Sequence, residues 1–360
     1  MFYKPQKKLA VLISALAATC LLIVPGCGSD SSSDTTEALS TTTMAVATTT
    51  TVAPTTTTVA PEPVEKPLIV VTTNILGDVV SKAVGELFDV ETIMPPGADP
   101  HVFQASAKQV DRMMKADLLV VNGANFEEGL LDVIKGAESD GVKVFEAMNS
   151  VDPLEDHDEE GHDDHDEEGH DGHDDHHGHD HGGVDPHFFT DPGRMAQVVN
   201  QLSDFLVLNF PEIDEDDLVS HMADYSKKLT DLDSEVMQTL SSIPESSRVL
   251  VTNHEVFAYF AESYDFKILG TIIPSPSTLS NASAKDLVDL AEEMKAEGVL
   301  AVFVDSSSSD ALADALAGEL DGVAVVTLFS ESLGPEDSAG STYLDMVRTN
   351  SELIASALTG

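Results

Sequence analysis

The chain has 360 residues and a mass of 38.3 kDa, with 18 Lys plus Arg against 64 Asp plus Glu, so its formal charge is −46. That acidity excludes a phosphate-reading role on nucleic acid and a polybasic grip on anionic lipid, both of which need a basic footprint. Apolar residues make up 42%, enough for a real core, while 5% aromatics and no Trp argue against a stacking platform for sugars or single strands.

The N-terminus reads as an address. Lys4, Lys7 and Lys8 precede a mostly apolar run, Leu9–Val24, which is short for a membrane span of about 20 residues and suits a signal-peptide core. It ends in Val24-Pro25-Gly26-Cys27, which resembles a bacterial lipobox with Cys27 as the lipidated residue, and residues 1–27 are assigned to a lipoprotein signal. A plain secretory signal or an uncleaved anchor are the alternatives. Cys20 and Cys27 are the only cysteines, so the folded part has neither a disulfide nor a cysteine metal site. Residues 28–66 are low in complexity and rich in Thr, with T-T-T-T-V-A-P occurring at both Thr48–Pro54 and Thr55–Pro61. Such a segment reads as a disordered stalk reaching on the order of 35 Å.

From Leu68 onward, strand and helix signals alternate. Strands are predicted at Leu68–Thr72, Phe88–Met94, Leu118–Asn122 and Val142–Phe145, and helices at Asn74–Gly85, Ser106–Met114 and Phe126–Lys135. Helices follow at Arg194–Leu208 and, longer, from about Asp214 to Ser241 before Pro244. The pattern then restarts with strands at Arg248–Thr252, Lys267–Ile272, Val299–Val304 and Val323–Leu328. Its helices fall at Glu255–Ser263, Ala284–Glu297, Ala311–Leu320 and Tyr343–Leu358. This alternation predicts two parallel-sheet α/β lobes, residues 67–212 and 245–360, joined by a long helix within 213–244. A ligand would lie in the interlobe cleft, beyond the strands' carboxyl ends.

Nine of the 13 histidines fall between His157 and His181, in a segment without Lys or Arg: His157, His162, His165, His170, His173, His176, His177, His179 and His181. The octads H-D-E-E-G-H-D-D and H-D-E-E-G-H-D-G follow one another there, at His157–Asp164 and His165–Gly172. Imidazoles beside carboxylates suit weak binding of several zinc, copper or nickel ions, and charge repulsion with Gly makes residues 152–184 a disordered loop rather than a structured site. The plain alternative is a solvating linker.

The remaining histidines are His101, His187, His221 and His254. His101 and His187 each close an Asp-Pro-His triplet, in which Pro fixes the backbone before the ring and the Asp is placed to accept from the ring N–H. His254 follows a predicted strand at its carboxyl end, and His221 sits in a polar helical context as a surface residue.

The segments G-A-D-P-H-V-F, D-P-H-F-F-T-D-P, V-L-V-T-N-H-E-V-F-A-Y-F and S-T-Y-L-D-M-V-R-T-N closely resemble the metal-binding proteins of bacterial zinc and manganese ABC importers, the cluster A-I or cluster 9 solute-binding family. The resemblance spans nearly all of Leu68–Leu358. It implies that one rigid helix bridges the lobes, that the ion sits in the cleft, and that a permease and its ATPase are the partners of a monomeric protein anchored outside the cytoplasm. By motif it assigns His101 and His187 as N-lobe ligands and His254 as a C-lobe ligand. The fourth family ligand, usually Asp, corresponds to Glu331, which keeps the charge on a longer arm. Zinc-type members carry His at the third position and manganese-type members Glu, so His254 implies Zn²⁺, with Mn²⁺ uptake as the alternative and Cu²⁺ and Ni²⁺ also suiting the donors. The resemblance also places a His-rich loop before the second ligand in zinc-type members.

Three other functions have a claim on the same residues. A zinc hydrolase needs an open metal position and a general base; Glu255 and Glu331 are candidate bases, but no H-E-x-x-H is present. A zinc buffer or metallochaperone would use the loop alone, and an adhesin would need a partner surface that no residues suggest. The expectation is a non-enzymatic, zinc-capturing importer component.

Overall fold

The computed structural model describes residues 66–154 and 183–359. The signal, Cys27, the stalk and the nine histidines of the His-rich segment lie outside the described residues. Among the described residues, no helix is long and apolar enough to cross a membrane.

The first sheet is built from β1 (Leu68–Val71), β2 (Asp89–Thr92), β3 (Leu118–Val121) and β4 (Lys143–Glu146), all parallel, in the order β2-β1-β3-β4. The two central strands, LIVV and LLVV, are almost wholly buried, as continuous apolar runs in a parallel sheet covered on both faces should be. The second sheet repeats that topology with β5 (Val249–Thr252), β6 (Lys267–Thr271), β7 (Ala301–Asp305) and β8 (Ala324–Leu328), in the order β6-β5-β7-β8. Two parallel-sheet α/β lobes are therefore present, as the alternating pattern predicts.

Helices α1 (Asn74–Val84), α2 (Ala107–Met114) and α3 (Leu131–Ser139) belong to the first lobe, and α4 (Pro192–Asn209) leads out of it. Helix α5 (Glu215–Leu240) is 26 residues long, about 39 Å. Its start is marked by the Asp214 cap and by Glu215, Asp216 and Asp217 in a first turn that favours negative charge. Leu218, Met222, Tyr225, Leu229, Leu232, Val236 and Leu240 recur every three or four residues and form its buried stripe. The second lobe adds α6 (Ala258–Tyr264), α7 (Ala284–Glu297), α8 (Ala311–Gly318) and α9 (Tyr343–Thr359). Helix α9 packs back on α5 and also meets α1 of the first lobe.

One hydrophobic core consequently runs through both lobes, from Ile69 and Phe126 through the α5 stripe to Phe303 and Ile354. Tyr343 fastens it: its hydroxyl donates to the Phe189 carbonyl at 2.8 Å and its N–H to Asp78 at 3.0 Å.

Two predicted helices begin later than the sequence suggests. The segment from Phe126 first makes a 3-10 turn, Glu128–Leu130, before α3, and the one from Glu255 stays a bent loop until Ala258, with the Glu255 N–H bonded to the Ser275 carbonyl.

Candidate metal centre

His101, His187, His254 and Glu331 come together where the carboxyl ends of the two sheets meet. One ligand atom from each lies within 4.8 Å of all the others, and all four residues are buried. The three Nε2 atoms converge on a single carboxylate: His101 is 3.4 Å from Glu331 Oε2, and His187 and His254 are 3.3 and 3.0 Å from Oε1. His221 stays apart, exposed on α5, with its Nδ1 2.8 Å from the Asp217 carbonyl.

Local chemistry holds each of the four side chains. His187 follows Asp185-Pro186, and Asp185 Oδ1 lies 2.9 Å from the His187 backbone N and 2.7 Å from its ring Nδ1. Asn122, just past β3, donates to the Pro186 carbonyl at 2.9 Å and ties this turn to the sheet. The second triplet departs from expectation. Asp99 accepts the His101 backbone N–H at 2.9 Å, but the His101 ring Nδ1 faces Glu128 Oε1 at 3.2 Å. The Asp99 carboxylate's other oxygen accepts from Thr278 Oγ1 at 2.8 Å instead of serving the ring. Either way a carboxylate backs Nδ1 and leaves Nε2 for the site, the arrangement that orients metal-binding imidazoles.

Glu128 reaches His101 from an unusual turn. Ala124 and Asn125 both have left-handed backbones, φ 49° and 59°, which costs about 1–2 kcal/mol for a residue such as Ala. Glu127 holds that turn, its Oε1 accepting from Asn122 N at 2.6 Å and Thr72 Oγ1 at 2.5 Å. A Cβ at Gly129 would fall 2.1 Å from the Phe103 carbonyl oxygen, so only Gly lets this turn lie so close to the His101 loop.

On the other lobe, Thr252 Oγ1 donates to the His254 carbonyl at 2.7 Å. Asp305, buried at the carboxyl end of β7, accepts from Ser330 N, Ser330 Oγ and Glu331 N, each at 2.8 Å. That carboxylate fixes the turn carrying Glu331. Glu128 and Asp305 have no motif to announce them, although an acid just after a buried strand run is a legible hint for Asp305.

The site is buried and charged. Phe126 packs edge-on against His101 and His187 at 5.1 and 5.5 Å. Burial works against the Glu331 carboxylate, yet the His187 and His254 imidazoles and the contacts of His101 outweigh it and hold its pKa well below the usual range. Burial likewise opposes a charged His101, but the carboxylates of Glu128 and Glu331 push its pKa up to about 10. Within the four converging residues, four buried polar atoms lack a hydrogen bond: Nε2 of His101 and His187, Nδ1 of His254 and Oε2 of Glu331. Such orphaned atoms are costly when buried, and a cation between the three Nε2 atoms and the carboxylate would satisfy the three that face it. Three imidazoles and a carboxylate fit a tetrahedral divalent ion.

Comparison with known proteins accords with this geometry. Residues 69–357 match the family model described as "Zinc-uptake complex component A periplasmic". The chain is 28% identical to the zinc-binding protein TroA of Treponema pallidum over 298 residues, covering 81% of the chain and 89% of that protein. It is also 28% identical to the manganese-binding lipoprotein MntA of Bacillus subtilis over 299 residues, with the same coverage of 81% and 89%. The solved structure of TroA superposes with a TM-score of 0.69 at 27% identity, covering 82% of the chain and all of that structure.

Proposed function

The chain belongs to the periplasmic zinc-uptake complex component A family, and from that premise we propose that it is the extracytoplasmic, high-affinity Zn²⁺-binding component of an ABC importer. The carrying observation is the buried convergence of His101, His187, His254 and Glu331. Zinc is the cargo. It is captured without covalent chemistry and surrendered to a membrane permease driven by its ATPase.

Two ligands come from each lobe, so the ion would bridge the cleft. A lipid on Cys27 and the Thr-rich stalk would hold the protein at the outer face of the membrane as a monomer, while the histidines of residues 157–181 raise the local zinc concentration.

The donor set favours Zn²⁺ over Mn²⁺, which prefers more oxygen. The resemblance of His254 to the third ligand of zinc-type members supports the same choice. Competition between the two ions for the wild-type chain and for His254→Glu tests it. Wild type is expected to take zinc in preference to manganese, and the variant to move the ratio toward manganese by roughly tenfold or more, since an imidazole is exchanged for a harder oxygen donor. Equal or tighter binding of manganese by the wild type would overturn the zinc assignment.

A further inference from the structure

Among the hydrogen bonds that join the lobes around the centre, such as Tyr259 Oη to the Asp185 carbonyl at 2.9 Å, two sets differ in kind. Behind Glu331, Asn74 Nδ2 donates to Ser332 Oγ at 2.7 Å and Asn74 Oδ1 accepts the Leu333 N–H at 2.7 Å, while the Gly97 N–H lies 3.0 Å from the Leu333 carbonyl. Asn74, Ser332 and Leu333 are buried, and half of this clamp is backbone.

The opposite side is closed by the loop of residues 272–283, between β6 and α7. Its first half is bonded through backbone to the segment bearing His254: Ile273 N donates to the Asn253 carbonyl at 2.8 Å and Glu255 N to the Ser275 carbonyl at 3.1 Å. Its middle meets the first lobe through two hydroxyls. Ser277 Oγ donates to Glu128 Oε1 at 2.5 Å and Thr278 Oγ1 to Asp99 Oδ2 at 2.8 Å. These acceptors are the two carboxylates that hold His101, one by its ring and one by its backbone. The Glu128 side chain is 34% exposed, so this is also the side that water reaches.

We infer that Ser277 and Thr278 are positioning residues forming the latch that controls metal release, acting on His101 through Glu128 and Asp99. The inference rests on the proposed zinc site and adds the route of exit. When the loop swings out, its backbone bonds keep it with His254, whereas the two hydroxyl bonds break. Glu128 and Asp99 then each lose one of the contacts that define their position, and His101 loses its fixed aim at the ion. The Asn74 clamp need not open. A partner that pulled on residues 277–279, where Leu279 is 54% exposed, would loosen one ligand of four without unfolding either lobe.

The test is stopped-flow zinc release from the full chain into excess chelator. Ser277→Ala with Thr278→Ala is expected to speed release about tenfold or more, because each lost bond is to a charged acceptor. The melting temperature of the metal-free protein should stay put, and Ser277→Thr with Thr278→Ser, which keep the hydroxyls, should retain slow release. In a Glu128→Ala background, Ser277→Ala should add less than about twofold, since the two residues act through one bond. Release at the wild-type rate, or an undiminished effect of Ser277→Ala in that background, would overturn the latch while leaving the zinc site intact. A melting temperature that fell in step with faster release would reduce the hydroxyls to structural bonds and overturn it too. A wild-type chain with no tight zinc at all would remove both the site and the latch.

Discussion

Glu331→Ala is expected to weaken zinc binding by a factor of several hundred. Four-ligand zinc sites bind with about 10–16 kcal/mol in total, so one ligand accounts for roughly 3–4 kcal/mol. Glu331 should stand at the upper end, because it is the only anion among the four ligands and all three Nε2 atoms face it. Its removal also leaves three imidazoles in a buried pocket walled by Phe126, with no carboxylate on the Nε2 side of the rings to offset an entering charge. Glu331→Asp should lose far less, since it keeps the charge and the Asp305 contacts to the backbone N–H groups of residues 330 and 331 are unaffected. Chelator-competed titration of the three proteins measures both effects. An Ala variant within tenfold of wild type would show that Glu331 is not a ligand.

Acid is expected to release the metal, and the sign follows from two opposed shifts. In the metal-free protein His101 has a raised pKa of about 10, so it holds a proton throughout the neutral range, whereas Glu331 stays ionised. The His101–carboxylate contacts therefore stabilise the metal-free fold fully below the ordinary imidazole pKa and are lost as the pH rises through about 10. Zinc needs the neutral ring, so each ion must displace that proton. Affinity should fall about tenfold per pH unit on this account alone, and more steeply below about 6, where imidazoles in general take up protons. Between pH 7.5 and pH 5 the loss should exceed about two orders of magnitude. Isothermal titration in buffers of different ionisation heat reads the displaced proton directly. Retention of zinc at pH 5 with unchanged affinity would contradict the scheme.

Much of this was legible in the sequence for identifiable reasons. Helix α7 lies at Ala284–Glu297, as predicted, because Ser283 and Asp286 make a capping box at its start and Gly298 adopts a left-handed conformation at its end. The apolar runs of β1 and β3 could only be buried strands. The two Asp-Pro-His triplets and the His beyond a strand single out His101, His187 and His254 as candidates, but their roles as ligands, like that of Glu331, come from the family resemblance.

What escaped was non-local. Ser277 and Glu128 are 149 residues apart and Asn74 and Ser332 are 258 apart, so no window of sequence records that they meet. The helix starting at Phe126 was misplaced because the left-handed pair Ala124-Asn125 and the 3-10 turn after it serve Glu128 rather than helix propensity. Asp99 departs from its triplet's expectation for a non-local reason too: its carboxylate is spent on backbone and on Thr278, 179 residues away, instead of the His101 ring.

The most direct measurement is a chelator-competed zinc titration of the chain lacking residues 155–182, which removes all nine clustered histidines and leaves the four converging residues. One tight zinc per chain, lost in His254→Ala, is the expected result. Weak binding alone, or none, would contradict a cleft site and move the zinc chemistry into the deleted histidines.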